Sequence, residues 1–154
     1  DVYMFNTSIR NNICMYKEID DKIVMEVCEN SGLSDFISEV SLDYVVGQNG
    51  AMLSGGQKQK IALARALVQN SPIVIFDEAT SNTDVYSEQQ INGLLHTKLK
   101  EKTVIIITHK QEILREADQI ILLKDGIVIG TGRYDDLIKS NVDFKDMINM
   151  AERY

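Results

Sequence analysis

Two short, unbroken apolar runs constrain this chain more than anything else in it. Ile73-Val74-Ile75-Phe76 leads directly into Asp77-Glu78, and Val104-Ile105-Ile106-Ile107 into Thr108-His109. Runs of this length without alternation are expected of strands buried on both faces, the habit of parallel sheets covered by helices. Between them, from about Asp84, the residues Ile91, Leu94, Leu95 and Leu99 recur at helical spacing. Strand, helix, strand in that order predicts an α/β fold built on a mainly parallel sheet. A polar helical stretch follows through Arg115. Ile120 to Leu123 and Ile127 to Ile129 then flank Lys124-Asp125-Gly126, where Asp-Gly favours a tight hairpin turn. The tail from Tyr134 reads as one or two short helices.

The front half has a different texture. No strand pattern stands out before Gly50. Asp20 is placed to cap a helix through Asn30 whose stripe is Ile23, Val24, Val27 and Cys28, with Gly32 beyond its end. Ser34 is placed to cap a further short turn. A glycine-bearing loop, Tyr44 to Gly50, leads to Leu53-Ser54-Gly55-Gly56-Gln57. The division expected is a helical lobe over residues 1–70 and an α/β portion over residues 71–154.

Composition removes several alternatives. With 154 residues, 44% hydrophobic and 25% charged, the chain has a globular balance. Sixteen Lys and Arg against 23 Asp and Glu leave a net charge of −7. That sign argues against a nucleic-acid partner, because binding to a phosphate backbone rests on excess Lys and Arg. No apolar run approaches the ~20 residues of a membrane span. Cys14 and Cys28 lie far apart, with no C-x-x-C spacing, and read as reduced, partly buried thiols of a cytosolic compartment. The sequence opens Asp1-Val2-Tyr3-Met4 without a signal pattern and reads as a cut end.

Three segments carry chemistry. Ser54 followed three residues later by Gln57 forms a capping-box start to a helix whose apolar stripe is Ile61, Ala64 and Val68, with Leu63 and Leu67 alongside. Gly55 and Gly56 leave the first backbone N–H groups uncovered at the positive end of that helix, as a phosphate-binding helix start requires. Asp77 and Glu78 stand at the end of a buried strand, where open α/β sheets bind ligands. Successive strand side chains point opposite ways, so the two acids suit different work. One can hold Mg²⁺ through water, and the other can polarise an attacking water as general base. His109 closes the second strand, where an imidazole can hydrogen-bond a terminal phosphate or a water. His96, on a polar helix face, takes no role.

Together these segments resemble the ATP-binding cassette (ABC) ATPases. Leu53 to Gln57 with the helix after it resembles the family's signature motif. Ile73 to Thr80 resembles the Walker B strand with its glutamate, and Thr103 to His109 the switch-histidine strand. Ser81-Asn82-Thr83-Asp84 occupies the place of the D-loop. Phe5 to Ile13 resembles the stretch after the Q-loop glutamine in exporters, and Val46 to Gly50 the exporter loop that touches the membrane domain. The resemblance implies a partial RecA-like P-loop NTPase core joined to the ABC helical subdomain. It further implies ATP and Mg²⁺ as ligands. Ser54, Gly55, Gly56 and Gln57 would meet the γ-phosphate of ATP held mainly by a second nucleotide-binding domain, head to tail. Asp77 would serve Mg²⁺ through water, Glu78 would activate water, His109 would contact the γ-phosphate, and Asp84 would link the two sites. The other partner implied is a transporter's transmembrane domain, at the cytoplasmic face of the plasma (inner) membrane.

The chain departs from that pattern in three places. Asn82-Thr83 stand where the D-loop usually has Ala-Leu, and Gln48 where the exporter loop usually has Glu. No G-x-x-x-x-G-K-[ST] occurs. A chain lacking that loop is expected neither to hold ATP tightly nor to hydrolyse it alone, and its sheet should have an unfilled slot that invites oligomerisation. Two other readings fit parts of the pattern. One is the head lobe of a chromosome-organising or DNA-repair ATPase, which would place a long coiled coil before the signature; no sustained heptads precede Leu53. The other is a degenerate regulatory cassette, for which Glu78 and His109 would have no chemical use.

Overall fold

The α/β order expected from the apolar runs is the order observed. A computed structural model describes residues 2–77 and 92–151. The helix expected from Asp84 lies outside the described residues except for its end, helical over residues 92–96, where Leu94 is buried, as is Leu99 just beyond. The chain divides into two compact units, residues 1–105 and 106–154.

In the first unit, four helices precede the first strand: α1 Ile9–Cys14, α2 Asp21–Asn30, α3 Ser34–Val40 and α4 Gly55–Val68, with a 3₁₀ turn at Gln48–Gly50. The α2 cap is the one expected, Asp20 accepting from the Lys22 amide at 2.8 Å. Its stripe is narrower than expected. Val24, Val27 and Cys28 are buried, but Ile23 is 48% exposed, because it sits at the margin of the face that meets α4. Ser34 is the first residue of α3 rather than its cap, and Leu33 precedes it without a side-chain cap bond. Val24, Cys28, Ile9, Ile13, Ile61 and Ala64, all fully buried, anchor one core that α1, α2 and α4 share. Val68 and Leu67 pack against its edge.

The strands β1 Ile73–Asp77 and β2 Thr103–Ile107 form a two-stranded sheet. The amide of Thr103 donates to the carbonyl of Pro72 at 3.0 Å, so both strands start from the same end and run parallel. Burial on both faces is not what these strands show. Val74 and Phe76 are buried, whereas Ile73 and Ile75 are more than half exposed. Alternation of this kind means that one face of β1 meets the core and, among the described residues, nothing covers the other.

The second unit holds α5 Gln111–Glu116, β3 Ile120–Lys124, β4 Ile127–Gly132, α6 Tyr134–Ser140 and α7 Val142–Ala151. The Asp-Gly hairpin forms as expected. Asp125 (φ 51°) and Gly126 (φ 76°) are both left-handed, the geometry of a two-residue turn matched to strand twist. A β-bulge between Leu122 and Leu123 leaves Ile129 as the extra residue on β4. Asn141 ties the unit together: its Nδ2 donates to the Ile129 carbonyl at 3.0 Å, and its Oδ1 accepts from the Phe144 amide at 2.9 Å. Tyr134 and Phe144 meet edge to face in the core, ring centroids 5.6 Å apart.

Candidate functional site

The N-terminus of α4 is unlike the other helix starts. Ser54 Oγ accepts from the Gln57 amide at 3.2 Å while Gln57 Oε1 accepts from the Ser54 amide at 2.8 Å, a complete capping box. That arrangement occupies the amides of Ser54 and Gln57. No described hydrogen bond uses those of Gly55 and Gly56, which are exposed. A Cβ built on either glycine would meet nothing within 4 Å, and neither has a left-handed backbone. Neither packing nor backbone geometry therefore calls for glycine at these positions. What two bare amides do offer is close approach to an anion.

Electrostatics reinforces the contrast. The helices α2, α3, α5, α6 and α7 each carry an acidic residue in the first turn, which offsets the positive helix end, while the six-residue α1 carries none. α4, at 14 residues the longest described helix, carries none there, and Gln57 supplies the capping box without adding charge. In a chain of net charge −7, an uncompensated positive helix end with two open donors is a place for negative charge from outside.

The other site residues stand at strand ends. Asp77 closes β1 and is exposed. His109 is exposed two residues after β2, in a turn where the Lys110 amide donates to Thr108 Oγ1 at 3.0 Å. Glu78 and Asp84 lie outside the described residues. So Ser54, Gly55, Gly56 and Gln57 are gathered on one helix tip, and Asp77 and His109 each end or follow a strand. Among the described residues no group of three or more His, Cys, Asp and Glu is placed to hold a metal ion. Mg²⁺ keeps much of its hydration shell and takes one or two carboxylates with substrate phosphates, a use for which an exposed carboxylate such as Asp77 has the right chemistry. Two surface concavities, of about 300 and 550 Å³, are lined by Arg115 to Asp118 with Arg133 to Asp135 and by Arg10, Asn11 and Tyr16 to Asp20. Neither includes a site residue.

Two polar arrangements escaped the sequence reading. Arg65 reaches from α4 to Asn12, and Lys102 reaches to Asn70 and Ser71. The signal available was an Asn and an Arg inside otherwise apolar helical patterns; in the structure Asn12 is fully buried and Arg65 partly so.

A family model described as ABC transporter matches residues 2–81. The chain is 38% identical over 153 residues to an ATP-dependent lipid A-core flippase of Pseudoalteromonas translucida (strain TAC 125), covering 97% of this chain and 26% of the flippase. It is 41% identical over 142 residues to the flippase of that description from Aliivibrio fischeri (strain ATCC 700601 / ES114), covering 90% of this chain and 24% of the relative. Among solved structures, a bacterial Atm1-family ABC exporter with ATP bound superposes with a TM-score of 0.90 at 32% identity, covering 98% of this chain and 27% of the exporter. The chain thus spans about a quarter of the length of the relatives it matches.

Proposed function

The chain belongs to the ABC transporter family, and from that premise we propose that it forms the signature and Walker B portion of an exporter's nucleotide-binding domain, which hydrolyses ATP to drive transport. Residues 1–70 serve as the helical subdomain, a role supported by their own apolar core, and residues 71–154 contribute to the RecA-like ATPase core. The observation that carries the reading is the tip of α4: two exposed glycine amides, clear of any neighbour, at a helix end with no acidic residue.

Each residue then has a chemical task. The Gly55 and Gly56 amides donate to the γ-phosphate of ATP held mainly by a second nucleotide-binding domain. The hydroxyl of Ser54 accepts from the Gln57 amide and keeps its own proton to donate to that phosphate. Gln57 holds the loop in shape through the capping box. Asp77 would hold Mg²⁺ through water, and that ion when bound neutralises charge building on the phosphates. Glu78 takes a proton from the attacking water onto its carboxylate. His109 hydrogen-bonds the γ-phosphate, and Asp84 connects the two sites of the dimer. A transmembrane domain completes the transporter, with the ATPase at the cytoplasmic face of the membrane.

The test uses the complete polypeptide. Glu78→Gln should lower ATP turnover by about 10²–10⁴-fold, the range for a lost general base, while nucleotide binding persists. An unchanged rate removes Glu78 from the role. A dimer trapped with ATP in which Ser54 faces away from the γ-phosphate removes the α4 tip from its own.

A further inference from the structure

The helix tip and the strand that carries Asp77 are joined by a very short connection. α4 ends at Val68 and β1 starts at Ile73. Within the intervening residues 69–72, Asn70 takes a left-handed conformation (φ 49°) that ends the helix, its amide donating to the Leu67 carbonyl at 3.2 Å. Lys102, the residue before β2, grips this connection. Its Nζ donates to Asn70 Oδ1 and to the Ser71 carbonyl, each at 2.7 Å. Its own amide is tied to the Leu99 carbonyl at 2.9 Å, and the next amide, of Thr103, to Pro72 at 3.0 Å. The connection is therefore held from outside by a side chain anchored at both of its flanks.

The leverage of that grip is large. From residues 69–72, α4 extends about 20 Å to Ser54 at ~1.5 Å per residue, while β1 runs to Asp77. A swing of about 5° at the connection would move the tip by about 2 Å. Hydrogen bonds weaken steeply over a displacement of that size, so the amides at the tip would lose part of their hold on a phosphate. We propose that Lys102 is a positioning residue for nucleotide binding: it pins the α4–β1 connection and so fixes the phosphate-facing tip of α4. This rests on the nucleotide reading above. Lys102 touches no reacting atom; it acts through residues 70 and 71.

The test compares Lys102→Met, Lys102→Arg and wild type in the complete polypeptide. Lys102→Met should raise KM for ATP about tenfold, the equivalent of one lost hydrogen bond, with kcat at saturation within about twofold. The melting temperature should fall by no more than a few degrees, since one of the two bonds is exposed, and Lys102→Arg, which can still donate to both oxygens, should restore KM. Asn70→Gly keeps the left-handed turn but removes one acceptor, and should give an intermediate KM. Native-state hydrogen exchange at Thr103 should speed up in Lys102→Met. An unmoved KM, a shift that Arg fails to rescue, or a loss that merely follows the melting temperature overturns the proposal. Wild-type protein that hydrolyses no ATP overturns the nucleotide reading instead, and exchange at Thr103 still reports on the pin.

Discussion

Arg65 and Asn12, 53 residues apart, share two hydrogen bonds: Arg65 Nε donates to the Asn12 carbonyl at 2.8 Å and Nη2 to Asn12 Oδ1 at 3.3 Å. Asn12 is fully buried, and its side chain also bonds the Phe5 amide and carbonyl at 2.9 and 3.0 Å. Arg65 Nη1 reaches the Tyr3 carbonyl at 3.2 Å, so one guanidinium sews the Tyr3–Asn12 stretch onto α4. Burial pulls the Arg65 guanidinium below its ordinary value, because these partners are neutral. Arg65→Met should therefore destabilise the chain by about 2–3 kcal/mol in urea titrations, since it strands the Asn12 carbonyl. Arg65→Lys should recover less than half of that, lacking the planar fork. A loss below about 0.5 kcal/mol would show that the contacts carry no weight.

Met15 ends α1 in a left-handed conformation, φ 53° and ψ 44°, with its amide on the Asn11 carbonyl at 3.0 Å. Tyr16, also left-handed at φ 61°, follows. Glycine suits such a helix end without the Cβ penalty. The Met15 side chain is partly exposed and has little packing to lose. Met15→Gly should raise stability by about 1 kcal/mol, and Met15→Val should lower it. A fall on Met15→Gly would mean that the thioether packs more than its exposure implies.

Burial pushes the Cys28 thiol up from 9.0 to about 11, with the neighbouring Cys14 thiol adding to the shift. The folded chain thus keeps a proton that the unfolded chain releases, and unfolding gains from deprotonation once the pH passes 9. Stability from this source is intact below pH 9 and falls as pH rises toward 11, by at most about 1.4 kcal/mol per pH unit. Cys28→Ala should flatten that stretch of the stability profile while lowering stability at neutral pH through the lost packing. Equal alkaline slopes in both proteins would show that other groups govern the effect.

What could be read from the sequence was what neighbours along the chain decide. The Ser54–Gln57 box, the Asp20 cap and the Asp125-Gly126 turn each depend on residues two or three apart, and each formed as expected. The exposure of Ile73 and Ile75 depends on what lies over the strand, and an apolar run has no way to record that. Ile23 escaped for a related reason: the width of a helix's buried stripe is set by the helix it meets. Arg65 with Asn12, and Lys102 with Asn70, join residues more than 30 apart, and a hydrogen bond across such a span leaves no period. At the candidate site, the glycines could be seen in advance. That nothing crowds them needed coordinates.

Gly55 and Gly56 allow an effect on stability to be separated from an effect on ligand binding. A side chain added to either would meet no atom of this chain within 4 Å, and the backbone there needs no glycine. Alanine also loses less conformational entropy than glycine in a helix. Gly55→Ala and Gly56→Ala should therefore leave stability unchanged or raise it by up to about 1 kcal/mol. On the function proposed, however, the new methyl would stand in the complete polypeptide where the γ-phosphate approaches the amides. ATP turnover should fall about tenfold or more in at least one of the two, with a retained or raised melting temperature. Stability and catalysis moving in opposite directions would mark the glycines as serving a ligand. Both substitutions leaving turnover intact would mean that the anion lies elsewhere, and the helix tip would lose its role.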